Sequence, residues 1–335
     1  MDTTASISAV VRWYFEEVFA KWEGPGVVPF YCDAERIGHF AIGPRDLASG
    51  KEAALFRLFV VMAMFQARRD VVIMDQQREM PREAALSLTS ASGFRRRVGS
   101  ATCEHLASAS AFDVGCSVRK SATGVDCDHH PAAPCHVKEA TGLLRRMGDM
   151  GKLPTSAWLH IGRTGSLTRL LADVVEQEPA PQRRAYLLVE RLTSIYRVGE
   201  KLATMFVSAV STPALAPGLT PWFPDVDGNE LVVVDTNVAR AVDALRDPGA
   251  PKTYGARERW VREQASLLDL RRFNPDVPGY SPRLVQQALY AFCSKSNRAA
   301  EGDACAVRST PCAACAPGLC PFAMPAAGPA SAVAR

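Results

Sequence analysis

The stretch 185–210 limits the fold of this chain more than any other. In AYLLVERLTSIY, the residues Ala185, Leu188, Val189, Leu192, Ile195 and Tyr196 recur at helical spacing on one face. Arg197-Val198-Gly199 interrupts that face. A second apolar stripe follows at Leu202, Met205, Phe206, Ala209 and Val210. Two amphipathic helices joined by so short a turn must pack against each other, which makes a helix-hairpin-helix. The first turn of the second helix exposes backbone N–H groups, and together with the helix dipole these hold a phosphate without reading sequence. Lys201 lies in that turn. It is either a cation that pairs with the phosphate or, beside a bound phosphodiester, an amine that attacks an electrophilic carbon.

The rest of the chain is of the same type. Long Val/Ile/Thr alternations are scarce, so the expected fold class is all-α. A length of 335 residues predicts about two domains, and 47% hydrophobic content supplies their cores. The stretch EAALFRLFVVMAMFQ, 52–66, reads as a buried helix. SLTRLLADVV, 166–175, reads as another with Ser166 as its N-cap. Four prolines, Pro213, Pro217, Pro221 and Pro224, make 211–230 a loop. LVVVDTNVARAVDAL then reads as a short extended lead-in to a helix capped near Asp235 or Thr236. The segment 84–137 has weak periodicity and reads as an irregular insertion or a poorly patterned helical segment, and the tail 323–335 reads as disordered. A charge of +4, from 39 basic and 35 acidic residues, allows an acidic partner without demanding one. The longest apolar run, Leu58 to Phe65, is far short of the ~20 residues of a membrane span. The opening residues carry no basic region followed by an apolar one, which predicts no secretory signal and a cytoplasmic protein, nucleoid-associated if bacterial.

Ten cysteines in such a chain are expected to be reduced. Four of them follow the spacing Cys305-x6-Cys312-x2-Cys315-x4-Cys320, with Pro321 next. Four thiolates in one loop surround either a [4Fe–4S] cluster, for which a Cys-Pro ending is usual in bacterial loops, or a zinc ion. Upstream, CDHHPAAPCH brings together Cys127, His129, His130, Cys135 and His136, with Cys103 and Cys116 before them. Mixed Cys/His ligands suit a second metal, zinc, near Cys127 and Cys135. The alternative is scattered thiols and surface histidines, since no C-x2-C pair is present. Cys32 and Cys293 read as small buried residues. Trp222 is either a packing residue or a platform for a base.

YRVGEKLA, VVVDTNVAR and the four-cysteine loop, in that order, resemble the endonuclease III branch of the helix-hairpin-helix DNA glycosylases. The resemblance implies an all-α, two-domain fold. Residues 1–48 and 232–322 would form a cluster domain, and 49–231 a six-helix domain carrying the hairpin. It implies Lys201 as the catalytic nucleophile, Asp235 as the catalytic carboxylate, and Cys305, Cys312, Cys315 and Cys320 as [4Fe–4S] ligands. Arg197, Val198 and Gly199 would hold a DNA phosphate. MFQARRD is similar to a family stretch whose glutamine, here Gln66, fills the gap left by an extruded base. The implied activity is that of a bifunctional DNA glycosylase with AP-lyase activity. It would be a monomer on duplex DNA holding an oxidised pyrimidine or an abasic site, and would have no membrane partner. The same residues leave two further readings: a related glycosylase for a mismatched or modified base, and a non-catalytic DNA-binding iron–sulfur protein. Four features depart from the family. Arg197 replaces a glycine, Asn237 replaces a histidine, the last cysteine gap is one residue short, and Lys201 and Asp235 are 34 positions apart.

Overall fold

The computed structural model describes residues 3–23, 25–66, 68–99, 101–144 and 150–294. Among them the protein is almost entirely helical. In chain order the principal helices are α1 (Thr3–Trp13), α2 (Glu52–Ala63), α3 (Asp70–Arg78), α4 (Arg82–Thr89), α5 (Ala91–Gly99), α6 (Ala109–Gly115) and α7 (His136–Leu143). They continue with α8 (Leu153–Thr164), α9 (Leu167–Gln177), α10 (Pro181–Leu192), α11 (Glu200–Ser211), α12 (Thr236–Leu245), α13 (Tyr254–Ser266) and α14 (Pro282–Cys293). One short antiparallel pair, β1 (Arg119–Lys120) and β2 (Val125–Asp126), interrupts them. The chain forms two compact units, Glu23–Leu231 and Met1–Trp22 with Val232–Arg335. No described helix is long and apolar enough to cross a membrane.

The unit Glu23–Leu231 is organised around α2. Leu55, Phe56, Leu58, Phe59, Val60 and Val61 are all buried, so this helix buries most of its surface and leaves only a narrow side at Ala53 and Arg57 to solvent. Phe59 meets Phe206 of α11 edge-on at 5.2 Å, and Phe206 meets Trp222 in the same way at 5.4 Å. Trp222 is 2% exposed, so it packs the core and is not a base platform. Truncating any one of these rings to alanine would cost ~3–5 kcal/mol. Polar groups tie α2 to its neighbour. Both carboxylate oxygens of Glu52 accept main-chain N–H groups at the start of α9, from Leu167 at 2.9 Å and Thr168 at 3.1 Å. Ser166 caps the same helix by accepting the Arg169 N–H at 3.0 Å.

One sequence expectation changes here. Residues 23–48 belong to this unit and not with the chain ends: Tyr31, Ile37, Phe40, Ile42 and Leu47 fill its core. Gly38 makes that packing possible. Its φ is +57°, and a Cβ there would stand 2.6 Å from the Arg78 carbonyl oxygen. Of its two readings, 84–137 is the poorly patterned helical segment. It holds α5, α6, the β-pair and the start of α7 around a small core of Leu106, Phe112, Val118 and Val137.

In the other unit, α14 packs against α1, α12 and α13, burying Leu284, Val285, Ala288, Leu289 and Phe292. Past α1, a π-helical turn, Tyr14–Phe19, buries Tyr14, Phe15, Val18 and Phe19. The residues Val232–Val234 are extended but form no sheet. Their backbone is satisfied by side chains instead, as buried polar groups require. The Val233 N–H donates to Gln286 Oε1 at 3.3 Å and the Val234 N–H to Tyr254 Oη at 3.2 Å. The Tyr254 hydroxyl donates to the Val232 carbonyl at 3.0 Å.

Candidate functional site

The hairpin is α10, the turn 193–199 and α11. Ile195 and Val198 are each 3% exposed and anchor the turn in the core. The Val198 N–H donates to the Ile195 carbonyl at 2.9 Å, and the Tyr196 N–H to Ser156 Oγ at 3.0 Å. The Val198 amide is therefore used within the turn and is not a phosphate donor, as the sequence reading had it. Gly199 and Glu200, both exposed, stand at the start of a helix that no side chain caps. Arg197 adopts φ +63°, left-handed backbone that favours glycine, and it is the only non-glycine among the described residues to do so. Its Cβ crowds the following carbonyl at a cost of ~1–2 kcal/mol.

Lys201 is half-buried in the first turn of α11, and its Nζ donates to the Phe65 carbonyl at 3.2 Å. The next residue, Gln66, folds back so that its Nε2 donates to the Ala63 carbonyl at 2.7 Å. The structure thus brings Lys201 and Gln66 together at the C-terminal end of α2, from positions far apart in the sequence. The reason is packing: α11 lies along α2, with Phe206 on Phe59, and this carries its first turn to the end of α2.

Asp235 lies in the other unit and caps α12, its Oδ1 accepting the Val238 N–H at 2.8 Å. Asn237 donates through Nδ2 to Asp235 Oδ2 at 3.5 Å. Cys305, Cys312, Cys315 and Cys320 lie outside the described residues, as does the tail 323–335.

One arrangement has no signal in the sequence. His160 of α8 pairs through Nε2 with Asp113 Oδ2 of α6 at 2.7 Å, and its Nδ1 is 3.3 Å from Ser194 Oγ in the hairpin turn. His160 and Ser194, but not Asp113, line one side of a cavity of about 360 Å³. The chain of contacts is that of a Ser-His-Asp nucleophile, but the Ser194 hydroxyl donates to the Arg191 carbonyl at 2.8 Å. With its single proton committed to the shorter bond, Ser194 braces the turn and does not serve as a nucleophile. The three residues are widely separated in sequence, so only the fold could reveal them.

In the segment 101–137, Cys127 is held below the ordinary thiol value. Burial opposes this, but the main-chain amides of His130 and His129 and the Ser117 hydroxyl, all donating to sulfur, outweigh it. Burial pushes Cys116 up, and the neighbouring Cys135 and Cys127 charges add to the rise. Cys32 is only half-buried, its thiol pushed up to about 11 by burial, whereas Cys293 is fully buried, as a small packing residue should be. No family model, no curated protein and no solved structure matches this chain.

Proposed function

We propose that this protein is a helix-hairpin-helix DNA glycosylase of the endonuclease III type, with AP-lyase activity. The observation that carries the reading is the placing of Lys201: half-buried in the first turn of the hairpin's second helix, beside Gln66. A phosphate held on the Gly199 and Glu200 amides would fix the DNA strand next to the lysine amine. The backbone of Arg197 supports the same reading, because it keeps the left-handed conformation that the glycine at this place in the family would adopt freely.

In the proposed reaction the damaged nucleotide leaves the duplex stack and Gln66 takes its place. The neutral amine of Lys201 attacks C1′ of the sugar. The C1′–N bond breaks, and the base departs with a proton. The carboxylate of Asp235 stabilises the positive charge that develops on the sugar. Opening of the sugar ring leaves a protonated Schiff base between Nζ and C1′. Loss of a C2′ proton then expels the 3′ phosphate, cutting the strand by β-elimination. Hydrolysis of the Schiff base returns the free lysine. The substrate class we favour is an oxidised pyrimidine. Cys305, Cys312, Cys315 and Cys320 offer the four-thiolate donor set that suits a [4Fe–4S] cluster. Such a cluster would pin the loop, and no chemical step passes through it.

The test is cleavage of a duplex carrying one oxidised pyrimidine, compared with Lys201→Gln. The reading expects a nick bearing an unsaturated aldehyde at its 3′ side, lost in the variant while binding to a duplex with a reduced abasic analogue is kept. Cleavage that persists in the variant would remove Lys201 from the chemistry.

A further inference from the structure

The proposed chemistry leaves the cysteines and histidines of 103–136 without a role. Cys103, Cys116, Cys127 and Cys135 are all free, half-buried thiols packed on one small core, Leu106, Phe112, Val118 and Val137. They come from four separate places. Cys103 precedes the 3-10 turn Glu104–Ala107, Cys116 ends α6, Cys127 follows β2 and Cys135 precedes α7. Pairing of β1 with β2 draws the flanking Cys116 and Cys127 toward each other. Cys127 Sγ stands 3.7 Å from the hydroxyl of Ser117, the residue after Cys116, and Cys135 packs on the same core.

Two details of the group point to a ligand. The first is that Cys127 Sγ accepts the His130 N–H at 3.5 Å and the Ser117 hydroxyl at 3.7 Å. N–H groups donated to sulfur from the next few residues offset negative charge, which a metal-bound thiolate carries and a neutral thiol does not. The second is His105. Its Nε2 is buried with no partner within the protein. A Cβ built on Gly115, the neighbour of Cys116, would meet its Nδ1 at 2.3 Å, and its ring centroid is 4.5 Å from that of His129, two residues past Cys127. A buried ring nitrogen without a partner, set among thiols, calls for one.

We propose that this group binds a zinc ion through the thiolates of Cys116, Cys127 and Cys135, with the fourth ligand from the Cys103–His105 turn. Thiolate and imidazole donors select zinc over the hard cations, and four protein ligands leave no open position, so the site is structural. Among the described residues no three such side chains are already assembled around one point. Binding therefore turns the half-buried thiols inward, and each thiol ligand releases its proton. The metal would hold together short elements whose own core is only four residues.

The test is metal analysis of the full chain, isolated and then given one equivalent of Zn²⁺, alongside the Cys305, Cys312, Cys315 and Cys320→Ser variant. The expected result is one zinc per chain in both, lost in Cys127→Ser and in Cys135→Ser. Cobalt(II) added to the unaltered protein should give strong thiolate-to-metal charge-transfer absorption, a readout that needs no variant to fold. Two results would overturn the proposal: a parent chain that takes up no zinc and shows no cobbalt–thiolate bands, or zinc retained undiminished in both single variants. Binding unchanged in both Cys103→Ser and His105→Ala would overturn the assignment of the fourth ligand.

Discussion

Lys201 Nζ lies 3.2 Å from the carbonyl oxygen of Phe65, and the residue after that carbonyl is Gln66. The proposed nucleophile and the proposed wedge thus stand at one helix end, and their roles separate by substrate. On an abasic site no base has to be extruded. Gln66→Ala should therefore cleave an abasic duplex nearly as well as the parent, while excision of a paired, damaged base falls at least ~10-fold, about 1.4 kcal/mol. Single-turnover kinetics on the two duplexes would show this. Equal losses on both would deny Gln66 the wedge role.

Arg197 occupies glycine backbone at φ +63°. Arg197→Gly should relieve ~1 kcal/mol of strain and raise the urea midpoint. If the proposed reading holds, removing an exposed cation beside the proposed phosphate site should also lower the salt slope of DNA binding by ~1. A lower midpoint would mean that contacts of the arginine side chain outweigh the backbone strain.

Asp235 both caps α12 and, in the proposed reaction, faces the sugar cation. The two duties separate by substitution. Asparagine caps as well as aspartate, so Asp235→Asn should keep the stability of the parent and lose most of the activity. Asp235→Ala should lose the activity and also ~1 kcal/mol of stability. Full activity in the asparagine variant would reduce Asp235 to a cap.

Asp243 bridges two arginines, accepting from Arg257 at 2.7 Å and Arg246 at 2.6 Å. The Arg257 hydrogen bond, opposed by burial and aided by Arg246, holds its carboxyl below the ordinary 3.8. The unfolded chain therefore takes up this proton at a higher pH than the folded one. The stability is fully present above 3.8 and drains as pH falls through the lower, folded value. Asp243→Asn should flatten the acid limb of a urea-midpoint against pH curve and cost ~2 kcal/mol at neutral pH. An unchanged acid limb would show that other carboxylates carry it.

Long periodic segments were legible in the sequence. The helices α2, α9, α10, α11 and α12 follow from their apolar stripes, and the Ser166 and Asp235 caps from residue type. Residues 84–137 showed no more than an irregular or poorly patterned helical stretch, because helices of seven to nine residues are too short to show a period and cysteines fill positions that aliphatic residues usually take. The convergence of Lys201 on Phe65, and of His160 on Asp113 and Ser194, depends on tertiary packing across 136, 47 and 34 positions. No local pattern encodes it. The left-handed backbone at Arg197 was hidden because the residue type argues against it.

The most direct test is borohydride reduction of the protein on a duplex with a single abasic site, with the parent compared with Lys201→Gln. A covalent protein–DNA adduct that forms with the parent and is absent from the variant is the predicted result, since only a Schiff base at Nζ is reduced to a stable amine. A folded parent that yields no adduct, or a variant that yields as much, would contradict the lyase mechanism.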